Sequence, residues 1–233
     1  MKLLVRFLSS SLGKKYLMGL TGFVLYLFVI FHMLGNLQIF LGQEAVNRYA
    51  NFLKSLPELL WLARIGLLLA AIVHVVVAVQ LVIENRRARG VNYKEKKSLC
   101  ATLASRTMAL SGVIVLGFII YHIAHFTLGV TNPEFFHFRD HLGRHDVYNM
   151  MVYSFQMPYI SILYIVGVGL LCFHLSHGIQ SVFHSLGLIK NSYDQPLRWF
   201  SWIFSFLLFV GMSSMPVAVL LGVIKPSLPL IVL

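Results

Sequence analysis

An all-α integral membrane protein, a five-helix bundle with its N-terminus in the cytoplasm and its C-terminus outside, is the fold this sequence predicts. Three observations predict it. Of 233 residues, 58% are hydrophobic and only 12% charged, about half the charged share of an ordinary soluble domain. Five apolar runs, roughly 17–40, 59–83, 108–130, 158–183 and 199–223, each reach the ~20 residues a helix needs to cross ~30 Å of hydrocarbon. Basic residues concentrate in alternate connections, the signature of a fixed topology. A single transmembrane domain over 1–233 is expected.

Taken in order, the chain opens on a basic tail (Lys2, Arg6, Lys14, Lys15) followed by apolar sequence. The run 17–40 exceeds a signal-peptide core of 7–15 residues and has no small-x-small site after it, so it reads as a retained first span. Span two ends in the most basic loop of the chain, with Arg86, Arg87, Arg89, Lys94, Lys96, Lys97 and Arg106. Span three leads to a polar, aromatic connection, 131–157, carrying His137, His141 and His145; it is too long for a bare turn and is expected to fold over the outer mouth. Span four is rich in glycine (Gly167, Gly169, Gly178), which suits tilt or close packing. Lys190 and Arg198 precede span five. The connections on the N-terminal side hold thirteen Lys and Arg; the other side holds six. That asymmetry sets the orientation and explains the +11 formal charge without nucleic acid. The two cysteines, Cys100 in the basic loop and Cys172 in span four, suggest neither a disulfide nor a cysteine metal site.

Four histidines fall inside the spans, in two echoes. Nine residues separate Leu20-Thr21-Gly22 from His32, and nine separate Leu110-Ser111-Gly112 from His122, with Phe28 matching Phe118 and Ile30 matching Ile120. His74, Ala78, Gln80 and Val82 recur as His174, Gly178, Gln180 and Val182. Each histidine lies about 15 residues into its span, roughly two-thirds of the way across at ~1.5 Å per residue. With alternating direction, His32 and His122 share an outer level and His74 and His174 an inner one, roughly 15 Å apart along the normal.

Two imidazoles at one depth on neighbouring helices can ligate a haem iron from both faces, which favours electron transfer over oxygen binding. The pattern therefore predicts two b haems, ligated by His32 and His122 and by His74 and His174. Gly22, Gly112, Ala78 and Gly178 would leave room for a flat macrocycle, although small residues also serve plain helix packing. A lone histidine in a span often only hydrogen-bonds a neighbouring helix; the doubled spacing argues for ligation. His125 and His177, three residues past His122 and His174, are alternative ligands, and the repeat spacing favours the earlier pair.

These residues carry a family resemblance. LTGFVLYLFVIFH at 20–32, ENRRARGVNY at 84–93, SRTMALSGVIVLGFIIYHIAHFTLG at 105–129, HDVYNMMVYSF at 145–155 and FHLSHGIQSVFHSLG at 173–187 together resemble the di-haem cytochrome b membrane anchor, b558 branch, of succinate dehydrogenase and fumarate reductase. The resemblance spans nearly the whole chain. It implies the same two ligand pairs, a flavoprotein subunit and an iron–sulfur subunit on the cytoplasmic side, and electron exchange with a membrane quinone, menaquinone, at a prokaryotic inner membrane. Dicarboxylate chemistry would lie on the partner, since this chain has no cysteine cluster and no dinucleotide glycine motif. Where some members carry a proton-linked glutamate two residues before the span-four ligand, this chain has Cys172; where some carry an acidic quinone-site residue, it has Lys54. The family's quinone site is therefore not transferred.

Candidates for quinone contact at the outer mouth are Glu44, Arg48, Tyr49, His145 and Asp146, with His137, Asp140, His141 and Tyr148 nearby; ordinary loop contacts are the plain alternative for each. Arg106, Ser105 and His184 are candidates for the inner haem propionates, or for interfacial anchoring. Two other functions fit parts of the pattern: the cytochrome b subunit of another quinone-linked dehydrogenase or hydrogenase, and a histidine-dependent proton or metal transporter, which predicts colourless protein.

Overall fold

A computed structural model describes residues 6, 10–88, 107–188 and 193–227, and the backbone of 231–232. Among the described residues, five helices are long and apolar enough to cross a membrane: Ser11–Leu41, Pro57–Ala88, Met108–Thr127, Pro158–Ser185 and Asp194–Leu220. The chain is an all-α, multi-pass membrane protein.

In chain order, α1 (Ser11–Asn36) runs into a 3-10 turn at Leu37–Leu41. The amphipathic α2 (Gln43–Lys54) follows, then α3 (Pro57–Ala88). Helix α4 (Met108–His122) passes directly into a π turn at Ile123–Thr127. The connection expected over 131–157 holds α5 (Pro133–Phe136), the two-residue strand β1 (Phe138–Arg139) and α6 (Val147–Gln156). Helices α7 (Pro158–Ser185) and α8 (Asp194–Leu220) complete the spans. Strand β2 (Ile231–Val232) pairs antiparallel with β1, Phe138 opposite Val232 and Arg139 opposite Ile231.

The ends follow local chemistry. The Ser10 hydroxyl accepts the Gly13 N–H at 3.1 Å and caps α1. Pro57 and Pro158 open α3 and α7, where a missing N–H costs nothing. Gly222, at φ 70°, takes the left-handed conformation that stops α8. Three helices outrun their apolar cores: α1 starts at Ser11 rather than 17, α3 ends at Ala88 rather than 83, and α8 starts at Asp194 rather than 199. An apolar run marks the hydrocarbon, whereas Lys, Glu and Arg keep a helix going into the headgroups. The third span departs the other way. Regular α-helix stops at His122 and the π turn ends before Gly129, whose φ of 67° no bulky residue would adopt.

The chain falls into two compact units, and each spanning helix contributes residues to both. The first unit comprises Met1–Phe28, Ala63–Gly112 and Phe173–Ser205. Within it Val77, Ile179 and Leu197 are buried, Tyr26 packs on Phe204 with ring centroids 5.6 Å apart, and Lys14 pairs with Glu84.

The second unit comprises Val29–Leu62, Val113–Cys172 and Phe206–Leu233. Its core gathers Ile39, Val46, Met151, Val152, Phe155, Ile160, Tyr164 and Met215. Above this core α2 packs on α6 through a buried polar knot. The Asp146 carboxylate accepts from Gln43 Nε2 (2.8 Å), Asn47 Nδ2 (2.9 Å), Asn149 N (3.1 Å) and Asn149 Nδ2 (2.7 Å). Four donors satisfy a carboxylate that burial would otherwise penalise by several kcal/mol. Asn149 also ties down the C-terminal segment, donating to the Ser227 carbonyl at 2.9 Å and accepting the Ser227 N–H at 2.9 Å.

Candidate functional site

In the first unit His74 comes from α3 and His174 from α7, and the two are near enough to interact electrostatically. Each imidazole meets the same two-residue bracket. The Thr21 hydroxyl lies 3.2 Å from His74 Nδ1, and the Ser111 hydroxyl lies 3.1 Å from His174 Nδ1. Beside them, a Cβ on Gly22 would come within 3.2 Å of His74 Cε1, and one on Gly112 within 3.4 Å of His174 Cε1. The glycines of the repeat thus lie against the imidazoles themselves; a Cβ would crowd the ring at Gly22 and come to the edge of ordinary contact at Gly112. His177, one turn after His174, faces Ser181 instead, with Nε2 3.1 Å from the hydroxyl.

In the second unit His32 of α1 and His122 of α4 meet ring to ring, centroids 5.6 Å apart and planes perpendicular. Aromatic rings surround His122: Phe118 at 6.2 Å, Phe126 at 5.8 Å and Tyr164 at 5.8 Å. Gly167 lets Phe118 approach, since a Cβ there would sit 2.4 Å from the ring. The π turn directs His125 elsewhere. His125 is buried, its Nδ1 lies 2.9 Å from the Tyr164 hydroxyl, and it stacks on Phe126 at 4.1 Å. Its Nε2 is buried without a hydrogen-bond partner. Inserted π turns recur at functional sites, and here one separates two histidines that a regular helix would place on similar faces.

The structure brings His32 and His122 ring to ring and places His74 and His174 within the other unit. Each pair offers two imidazoles, the number of axial ligands that a six-coordinate haem iron takes. Among the described residues no cluster of three or more His, Cys, Asp or Glu is placed to hold a bare metal ion. Two imidazoles leave an octahedral iron four ligands short, which a tetrapyrrole supplies. Of the other first-unit candidates, Ala78 is half-buried on α3, a Cβ on Gly178 would meet Met108 at 3.8 Å, an ordinary contact, and His184 Nε2 lies 3.0 Å from Asp194. Arg106 and Ser105 lie outside the described residues.

The five quinone candidates have separate engagements. Asp146 is consumed by the polar knot. Glu44 accepts from Arg144 at 2.5 and 3.3 Å. His145 Nε2 lies 2.8 Å from the Phe136 carbonyl, Tyr49 packs on Gly35, and Arg48 is exposed. Hydrogen bonds from Arg144 hold the Glu44 carboxyl below the ordinary range. Burial pushes Asp140 up, but the Arg144 side chain and the Arg144 and Leu142 N–H groups outweigh it, so it too is lowered. Burial, aided by the charge of Lys54, lowers His145.

Sequence reasoning missed Thr21, Ser111 and Tyr164. The first two stood inside the repeat, hydroxyl before glycine both times; Tyr164 gave no signal, being one aromatic in an apolar run. No family model, curated protein or solved structure matches this chain.

Proposed function

We propose that this chain is the membrane-anchor cytochrome b subunit of a succinate:quinone oxidoreductase. It carries electrons between an iron–sulfur subunit on the cytoplasmic side and a membrane quinone, menaquinone, through two bis-histidine b haems. The observation that carries the reading is the pair of histidine pairs, each with its two members on different helices of one unit. When bound, each haem supplies a one-electron couple. The chain's own work is to present two neutral imidazoles per site, keep water out with apolar walls, and anchor the soluble subunits. His74 and His174 would serve the haem nearer the iron–sulfur subunit, and His32 and His122 the one that exchanges with quinone. The thirteen-to-six asymmetry of basic residues supports a cytoplasmic N-terminus; a prokaryotic inner membrane is what the family resemblance implies. Succinate oxidation or fumarate reduction would occur on the flavoprotein partner.

The test is the protein purified from its own membranes. Two haems per chain, a b-type reduced-minus-oxidised spectrum with two resolvable midpoint potentials, and co-purifying flavin and iron–sulfur subunits are expected. Colourless protein, or a single haem per chain, would overturn the reading. A pigmented chain that co-purifies with a hydrogenase or formate dehydrogenase would keep the cytochrome and discard the succinate assignment.

A further inference from the structure

The hydroxyl–glycine steps Thr21-Gly22 and Ser111-Gly112 face the same two atoms of two different histidines, and each hydroxyl also has a backbone carbonyl within reach of its proton. A hydroxyl has one proton. Thr21 Oγ1 spends its proton on backbone carbonyls, at 2.7 Å from Leu17 O and 3.2 Å from Met18 O. Ser111 Oγ spends its proton on Met108 O at 3.1 Å. With the proton so placed each oxygen accepts from the imidazole, which puts the proton of His74 and His174 on Nδ1 and leaves their Nε2 lone pairs available to a metal. The Met18 carbonyl gives His74 a second acceptor.

We infer that Thr21 and Ser111 are positioning residues that lock His74 and His174 in the Nδ1–H tautomer, so that both imidazoles present Nε2 to the haem iron and donate more strongly to it. The inference rests on the di-haem reading. It also gives the repeat a double meaning: one helix supplies a bracket to one histidine pair and, ten residues after the bracket's glycine, a ligand to the other. A hydrogen bond accepted from the far nitrogen raises the basicity of a ligating imidazole and so favours the ferric state. Its loss should raise the midpoint potential of the His74–His174 haem. Ser111 works without the backup that Met18 gives Thr21, so Ser111→Ala should have the larger effect.

The experiment is a redox titration of the full complex carrying Ser111→Ala, Thr21→Val, Ser111→Thr or Thr21→Ser. For Ser111→Ala a tenfold shift of the ferric/ferrous equilibrium towards ferrous iron is expected, equivalent to about 59 mV for one electron. Thr21→Val should give a smaller shift of the same sign. The hydroxyl-conserving variants should keep the wild-type value, and the other haem should not move in any of the four. Potentials unchanged in Ser111→Ala at full haem content would overturn the inference while leaving the di-haem reading intact; wild-type protein without haem would overturn that reading itself. Should Ser111→Ala fail to assemble, nitrogen NMR of the dithionite-reduced wild-type protein decides. His74 and His174 protonated on Nδ1 uphold the assignment, and protonation on Nε2 sinks it.

Discussion

The two histidine pairs are built from the same repeat and held by different physics. In the first unit each imidazole is held at a nitrogen by a hydroxyl, with a glycine against the ring. In the second unit His122 is fixed by faces and edges, among Phe118, Phe126, Tyr164 and His32. A hydrogen bond constrains tautomer and ligand strength; aromatic packing constrains ring orientation, at roughly 0.5–1.5 kcal/mol per pair. On the proposed di-haem reading, the same ligand type would be tuned electronically in one place and sterically in the other. Two haems of unequal potential are what such an arrangement would produce.

The largest effect that could break this comparison is loss of a ligand. His32→Ala or His122→Ala should remove one haem, and His74→Ala or His174→Ala the other, halving the pyridine haemochrome yield each time. His125→Ala should leave both haems in place, because its ring belongs to Tyr164 and Phe126. Loss of a haem in His125→Ala with His122 intact would reverse the assignment on α4.

Glycine substitutions sharpen the contrast at the next level. A Cβ at 167 would lie 2.4 Å from Phe118, which must shift, whereas one at 22 meets His74 at 3.2 Å and one at 112 meets His174 at 3.4 Å. Gly167→Ala should therefore cost about 1–3 kcal/mol through overpacking and disturb the His32–His122 spectrum. Gly22→Ala should cost less and disturb the other haem, and Gly112→Ala should be nearly silent. Melting temperatures in detergent, followed at the Soret band, would order the three; Gly112→Ala as the most damaging would contradict it.

Tyr164→Phe probes the second unit alone. It deletes the partner of a buried ring nitrogen that already has an unpaired Nε2. About 1–3 kcal/mol of stability should go, with both haems retained. The same denaturation assay reads it, and loss of the His32–His122 haem would mean that Tyr164 supports the ligand directly.

Much of this was legible before any coordinates. Hydrophobic length gives the five spans because lipid leaves a backbone no alternative to helix. The echo of His32 in His122 and of His74 in His174 gives the pairs, since residue spacing along a helix is distance. What spacing could not give is which neighbour a side chain meets. Thr21 and Ser111 lay in view, yet their partners are 53 and 63 residues away. The π turn after His122 was invisible because HIAHFT has nothing that periodicity distinguishes from ordinary helix. Asp146 read as a loop carboxylate near a quinone, and is instead the hub of a buried knot, because Gln43 and Asn47 arrive from a hundred residues earlier.

The smallest effect expected is a pH response, and it belongs to the second unit's polar connection. His145 is held below the usual imidazole range by burial and by Lys54, and Glu44 and Asp140 lie below the usual carboxylate range beside Arg144. In all three cases the unfolded chain takes up protons more readily than the folded one, so stability rises with pH through each titration. The His145 contribution is complete above about pH 6.5 and is lost as pH falls from there through its lowered value; the carboxylate contribution is complete above about pH 4 and is lost in more acidic solution. Thermal melts of the purified protein between pH 7.5 and 5 should show a gentle decline on the acid side that His145→Gln flattens, since glutamine keeps a donor for the Phe136 carbonyl without titrating. A melting temperature that rose as pH fell across that interval would mean that His145 gains a proton favourably on folding, and that the polar connection is organised around a charge rather than around its exclusion.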